Sequence, residues 1–245
     1  KELVRIINST TLRKGADGYI YVYINGQQIG DGFDPTSGNV VEYIRFADSV
    51  VQQICATNWG NGVGITPEQA AAVTTFGTTF KDNAEIETFN EAKYFTGLTI
   101  LQSAFYKSAL RTIDLSYLQN ISGSLDSAFF NCANLETINF EGFNSANIIS
   151  CRYTFANLTA LTKLDISSWT DTRALTGITQ EMFSGLSNMV ELNLPENFMP
   201  NQASFNQLFV YTSNPQLIKI TGWFNLGSAT NTLSFSTTYN YLRQL

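Results

Sequence analysis

Five short polar residues recur along this chain, each directly after a large apolar residue: Asn90, Asp114, Asn139, Asp165 and Asn193. The steps between them are 24, 25, 26 and 28 residues. Amides and carboxylates in a regular row can form hydrogen bonds with the hydroxyl groups of a sugar or with a protein loop. We therefore predict that these five residues bind a ligand. The plainer interpretation is a solvated face whose short polar residues bond neighbouring strands.

Catalysis by this row would depend on its two carboxylates, Asp114 and Asp165. Two repeats apart on a sheet, they would lie roughly 9 to 10 Å from each other. That distance is borderline for an inverting glycosidase (about 6.5–9.5 Å) and too long for a retaining one (about 5 Å). An open sheet face also offers little burial to raise the pKa of a carboxyl group, as acid catalysis requires.

Composition excludes several other functions. The chain has no histidine, which removes the usual general base, the commonest metal ligand and the partner of a serine or cysteine nucleophile. We expect no enzymatic activity, no catalytic residue and no cofactor. A net charge of −6 argues against a nucleic-acid partner, because phosphate binding needs clustered lysine and arginine. No run of residues is long and apolar enough for a membrane span.

The row of polar residues belongs to a longer repeat. In each copy a phenylalanine is followed six residues later by the pattern apolar-x-x-apolar-x-apolar. The phenylalanines that mark successive copies are Phe80, Phe105, Phe129, Phe155, Phe183 and Phe209. The steps between them are 25, 24, 26, 28 and 26 residues. A period this regular predicts a repeat architecture of about six units.

Within each repeat, the apolar-x-apolar core has the two-residue period of a short strand. Stacked copies would form one parallel sheet, with the phenylalanine segment as a turn or short helix on the opposite wall. We predict an α/β repeat solenoid with phenylalanine and leucine inside, and with Phe143 and Trp169 in its core. A second outward row lies two residues before the first: Thr88, Thr112, Thr137, Lys163, Glu191 and Lys219.

The segments before the repeats have other patterns. Residues 19–24 followed by Asn25-Gly26 predict a β-hairpin, which is either a small β element or the tail of a preceding domain. Helical spacing begins near Asp48, and Thr66, Pro67 and Gln69 predict a helix start. We divide the chain into a hairpin segment (1–45), a helical cap (46–75) and a solenoid (76–245). Three aromatic residues outside the repeat pattern are expected to be exposed: Trp59, Tyr239 and Tyr241.

The cysteines and the start of the chain carry weaker signals. Cys55, Cys132 and Cys151 have neither a metal-binding spacing nor an even-numbered disulfide framework. Cys132 and Cys151 are expected to face inward as small apolar residues. A disulfide is the alternative interpretation. The sequence begins at Lys1 without methionine or a signal-like segment, so we expect a mature or trimmed form.

Segments 127–140, 161–169 and 181–194 resemble the BspA-like type of leucine-rich repeat. The lead-in at 70–80 and 94–98 resembles the segment that introduces such repeats in surface proteins of Bacteroides-type bacteria. The resemblance covers roughly residues 46–235 and implies an exported, cell-surface or lipid-anchored protein. It further implies a role in adhesion or recognition, with a host extracellular protein or glycan as the partner, and we expect a monomer.

Two alternatives to a binding module stay open: a structural spacer in a larger surface protein and, least favoured, a glycan-active enzyme. One departure from the resemblance concerns metal binding. Related proteins often carry an aspartate-rich turn that resembles a calcium loop between the two lead-in helices. Here residues 59–66 contain no carboxylate, and Ca²⁺ prefers several aspartate or glutamate ligands. We expect no metal at this turn.

Overall fold

A computed structural model describes residues 10–16, 18–24, 26–33, 41–169, 181–195 and 219–221. Three strands come first: β1 (Thr10–Lys14), β2 (Ile20–Ile24) and β3 (Gln27–Phe33) form an antiparallel sheet in that order. Ile24 pairs with Gln27, and Gly26 lies in the turn of the predicted hairpin. Gly26 has a φ of 80°, as a tight turn of this kind requires. The hairpin is confirmed, and β1 is an addition to it.

Two helices follow the sheet, α1 (Ser49–Asn58) and α2 (Pro67–Ala71). The Asp48 carboxylate caps α1 by accepting the N–H groups of Val50 and Val51. Thr66 and Gln69 form the predicted capping box of α2, which has proline in its first turn. Within the described residues, no helix is both long and apolar enough to span a bilayer. The division of the chain at residues 45 and 75 stays a prediction.

Trp59 is half-buried, so the expectation that it is exposed is wrong. Its ring lies 5.4, 6.0 and 5.8 Å from those of Phe76, Phe80 and Phe95. Trp59 directly follows the last residue of α1, and this position directs the indole onto the first repeat. Tyr239 and Tyr241 lie outside the described residues.

Each repeat contributes one short strand to a parallel ladder. The strands are β4 (Thr88–Phe89), β5 (Thr112–Asp114), β7 (Thr137–Asn139), β9 (Lys163–Asp165), β10 (Glu191–Asn193) and β11 (Lys219–Thr221). Except between β7 and β9, they pair in register from one repeat to the next, with Ile113 beside Ile138 and Leu164 beside Leu192. Between them, β6 (Gly123–Ser124) and β8 (Ile148–Ser150) pair in parallel on a further wall that the sequence did not predict.

The expected single sheet is divided into two three-stranded sheets, one of β4, β5 and β7 and one of β9, β10 and β11. Large aromatic side chains fill the core where the sheet divides. The Trp169 ring lies 5.4 Å from that of Phe140 and 5.8 Å from that of Phe143. Both Phe143 and Trp169 are buried, as predicted.

The wall opposite the strands consists of turns stacked on a column of phenylalanine rings. Ring centroids are 5.5 Å apart for Phe80 and Phe105, 5.6 Å for Phe105 and Phe129, and 6.1 Å for Phe129 and Phe155. Backbone N–H groups of each turn donate to the next repeat, for example Phe105 to Ala128 O at 2.9 Å. The core predicted from the repeat is therefore present in this part of the chain.

Left-handed backbone at two fixed positions allows these turns to stack. Two residues before the phenylalanine, φ is between 54° and 56° at Ser103, Ser127, Tyr153 and Glu181. Two residues after it, φ is between 55° and 68° at Asp82, Lys107, Asn131, Asn157 and Gly185. At Gly185 an added Cβ would lie 1.9 Å from the Asn157 Oδ1 atom, so the Asn157 side chain would have to move.

Cys55, Cys132 and Cys151 are buried and free. Burial raises the pKa of the Cys132 thiol to about 11 and raises those of the other two as well. Because thiolates are the reactive species, we expect no modification of the native protein by a thiol reagent at pH 8. All three should react after unfolding in urea, as counted by mass spectrometry. Rapid labelling of Cys132 without urea would contradict its burial.

Candidate ligand-binding face

The strands bring four of the five predicted residues together as two pairs. Asp114 and Asn139 are register partners on β5 and β7, and Asp165 and Asn193 are partners on β9 and β10. Asn90 lies one residue beyond β4 and begins a 3₁₀ helix, Asn90–Tyr94. Asp114, Asn139, Asp165 and Asn193 are followed by leucine, phenylalanine or isoleucine. Asn90 is followed by Glu91, so the strand pattern ends earlier in this repeat.

Asp114 is the centre of the first pair. Its carboxylate accepts the Asn139 Nδ2–H (3.1 Å), the Ser116 backbone N–H (3.0 Å) and the Lys93 ammonium (2.9 Å). Partial burial raises the pKa of Asp114, but the hydrogen bonds from Lys93 and Ser116 outweigh that effect and hold the pKa below its usual value. The amide oxygen of Asn139 accepts the Glu141 N–H at 3.0 Å, so both residues fix the chain as it leaves its strand.

Asp165 is the hydrogen-bond acceptor of the second pair, as Asp114 is of the first. It accepts the Asn193 Nδ2–H at 3.1 Å and both the hydroxyl and the backbone N–H of Ser167 at 2.6 and 3.1 Å. Partial burial raises the pKa of Asp165, and the bonds from Ser167 and Asn193 outweigh it, so the net pKa is lowered. Asn193 is only 9% exposed, less than an outward residue was expected to be, because its amide lies between Asp165 and Glu191.

The second outward row lies beside the first. The Thr112 hydroxyl donates to Asn90 Oδ1 at 3.4 Å, and Lys163 Nζ lies 3.6 Å from Glu191 Oε1. We call the surface formed by these two outward rows the strand-side face. It carries carboxylates, amides and hydroxyl groups in register. Both central aspartates are ionised at neutral pH, so they act as hydrogen-bond acceptors and neither of them is a general acid.

Two residues beside this face were missed by the sequence analysis, Lys93 and Tyr117. The Tyr117 side chain is 60% exposed, and its hydroxyl donates to Glu141 Oε1 at 2.8 Å. Its φ of 59° is unusual for a bulky residue and indicates strain that the surroundings must hold. A Cβ added at Gly142 would lie 2.6 Å from the Tyr117 ring. The sequence feature that could have identified Tyr117 is the glycine at the equivalent position 25 residues later, Gly142.

Within the described residues, no group of three or more cysteine, aspartate or glutamate side chains could hold a metal ion. At the turn between α1 and α2, Asn61 Oδ1 accepts the backbone N–H groups of Val63 and Gly64, each at 3.0 Å. Asn61 Oδ1 is the oxygen that a cation would use at this turn, and it is already bonded to the backbone of the turn.

Comparison with known proteins agrees with this geometry. No curated protein and no solved structure matches the chain. A family model described as the BspA type leucine rich repeat region matches residues 77–220 in 6 copies, which is more than half of the 245 residues. The number of copies equals the number of repeats counted from the phenylalanines. The chain therefore belongs to the BspA-type leucine-rich repeat family.

Proposed function

We propose that this chain is an extracellular, non-enzymatic binding module on a bacterial cell surface, with a lipid anchor of the full protein as one mode of attachment. It recognises a host extracellular protein or glycan through its strand-side face. The repeats wind as one right-handed solenoid that α1 and α2 cap at the first repeat. Support for this winding comes from the in-register strand pairs and from the turn-to-turn hydrogen bonds on the opposite wall.

The observation that carries the proposal is the pairing of an ionised carboxylate with an amide in successive repeats. Asp114 with Asn139 and Asp165 with Asn193 repeat the same hydrogen-bonded carboxylate–amide pair along one face, with an aspartate as the acceptor in each pair. Lys93 and the exposed Tyr117 add a donor and an aromatic surface next to the first pair. Tyrosine is enriched in recognition surfaces because its rigid ring contributes area at a low entropic cost.

Two observations favour binding over the alternatives. A glycan-active enzyme would need one carboxyl group with a raised pKa, whereas the pKa values of Asp114 and Asp165 are both lowered. A structural spacer would not need an exposed aromatic residue beside the polar row.

The test is an array of extracellular-matrix proteins and host glycans probed with the purified chain. Against the best ligand, the combined change Asp114→Ala, Asn139→Ala and Asp165→Ala should weaken binding at least about tenfold, since each lost charged hydrogen bond costs about 1.5–3 kcal/mol. Tyr117→Gly keeps the left-handed backbone and should weaken binding about fivefold through the lost ring.

Lys14→Ala removes an exposed cation of β1, outside the repeats; it is the control and should bind as the unchanged protein does. Circular dichroism of every variant establishes that it is folded. If no ligand on the array binds saturably, or if the folded triple variant keeps full affinity, the strand-side face is not the recognition surface and the spacer alternative takes its place.

A further inference from the structure

Three aromatic side chains form a cluster on the turn wall, away from the strand-side face. Tyr106 and Phe130 stack with ring centroids 5.2 Å apart, and Tyr153 meets Phe130 edge-on at 5.7 Å. All three are half-buried, in contrast to the fully buried phenylalanine column behind them. We call Tyr106, Phe130 and Tyr153 the aromatic cluster. The buried phenylalanine column already fills the core, so the rings of the aromatic cluster are not needed for that purpose.

The aromatic cluster lines a cavity of about 510 Å³. Polar residues of successive turns share the lining, among them Ser127, Asn157 and Ser184. Cavities of about 300–1,000 Å³ hold small ligands and typically combine apolar surface with a few placed polar groups. The cavity therefore suits one or two small rings that carry hydroxyl groups, and a protein interface would need a far larger area than it offers.

Three basic side chains lie against the rings of the aromatic cluster, next to the residues that line the cavity, although the chain as a whole has a charge of −6. Lys81 Nζ and Lys107 Nζ lie 5.0 and 5.3 Å from the Tyr106 ring centroid, and the Arg152 guanidinium lies 4.8 Å from that of Tyr153. Within the described part of the chain, the buried Nε of Arg152 has no hydrogen-bond partner. Glu181 is the carboxylate of the cavity, and it accepts the Tyr153 hydroxyl at 3.2 Å.

We propose that this cavity binds an acidic saccharide, a sugar with a carboxylate or sulfate group. The aromatic cluster contacts the C–H face of the sugar ring, and the serine and asparagine side chains face its hydroxyl groups. Lys81, Lys107 and Arg152 attract the anionic group. The site lies on a different wall from the face in the proposed function, and neither proposal depends on the other.

Isothermal titration calorimetry at low salt with three probes tests this site: digalacturonic acid, sialyllactose and a sulfated heparin disaccharide. At least one should bind, and more tightly than its neutral counterpart. Lys107→Asn removes a cation while keeping a residue that tolerates left-handed backbone, as Asn131 and Asn157 do in the next repeats. Lys107→Asn should weaken binding about fivefold, and Tyr106→Ala should weaken it about tenfold. Tyr106→Phe keeps the ring and should lose much less affinity than Tyr106→Ala.

Lys14→Ala and the triple variant of the strand-side face should bind the probe unchanged, which separates this site from the other proposal. Added salt should weaken binding, because exposed charges are screened. The proposal is overturned if none of the three probes binds, if neutral and acidic sugars bind alike, or if Lys107→Asn and Tyr106→Ala keep full affinity while folded. Tighter binding of an acidic peptide would also overturn it, since the occupant would then be a protein segment.

Discussion

Phe129→Ala should lower the free energy of unfolding by about 3–5 kcal/mol, the range for a buried phenylalanine truncated to alanine. The Phe129 ring is fully buried and stacks between those of Phe105 and Phe155 at 5.6 and 6.1 Å. Its removal leaves a cavity that the neighbouring turns cannot close, because their backbone N–H groups are bonded to the repeats on either side. Urea unfolding followed by circular dichroism measures the loss.

Tyr94→Ala is the matched control for this truncation, because Tyr94 is 45% exposed and of similar size. Its effect should be below about 1 kcal/mol. Since each repeat contacts only its neighbours, the unfolding of the Phe129 variant should also become less cooperative. Equal losses for the two variants would mean that the phenylalanine column does not carry the stability of the repeats.

Asp48→Ala should cost about 2 kcal/mol, the combined contribution of a helix cap and of hydrogen bonds to a charged acceptor. One carboxylate oxygen of Asp48 caps α1, and the other accepts the N–H groups of Glu87 (2.6 Å) and Thr88 (3.1 Å) in the first repeat. This single side chain thus joins the helical segment to β4. In the Asp48→Ala variant, a protease should cleave near α1 faster than in the unchanged protein, under conditions in which the repeats are still folded.

The contribution of Asp48 should depend on pH. Partial burial raises the pKa of Asp48, but the four N–H bonds outweigh that effect and the pKa in the folded protein is lowered. Its stabilisation is therefore complete above the unfolded value of about 3.9 and is lost as the pH falls through the lower folded value. Asp48→Asn keeps a good cap but loses the charge. The difference in unfolding free energy between the unchanged protein and Asp48→Asn should be larger at pH 7 than at pH 2, and a constant difference would contradict the prediction.

The repeat core could be predicted because its spacing is a direct consequence of the chain geometry. One large apolar residue per turn and an apolar-x-apolar strand recur with little variation, so Phe105, Phe129 and Leu164 were assigned inward from the sequence alone, and the structure buries them. The helix start at Thr66 was equally clear, since its capping box is a local pattern. The partner and the binding role of the polar row stay predictions.

Features that depend on side-chain volume or on several repeats at once were not predictable in this way. The interruption between β7 and β9 lies where Phe140 packs against Trp169, and the pattern treats both as ordinary apolar residues. Members of the aromatic cluster occupy two different repeat positions, so no column of the repeat contains all three. The left-handed turns at Asn131 and Asn157, two residues after their phenylalanines, were not predicted either, although asparagine tolerates that conformation.

The stacking of successive repeats in one register is tested most directly by joining two outward positions. Asp114→Cys with Asn139→Cys places thiols on register partners in strands about 4.8 Å apart, whereas Asp114→Cys with Asp165→Cys places them two repeats apart. The native cysteines are buried and should not compete. Dibromobimane, which becomes fluorescent on bridging two close thiols, should label the first pair strongly and the second pair hardly at all. Equal labelling of both pairs, or labelling of the second alone, would contradict the register on which the binding face depends.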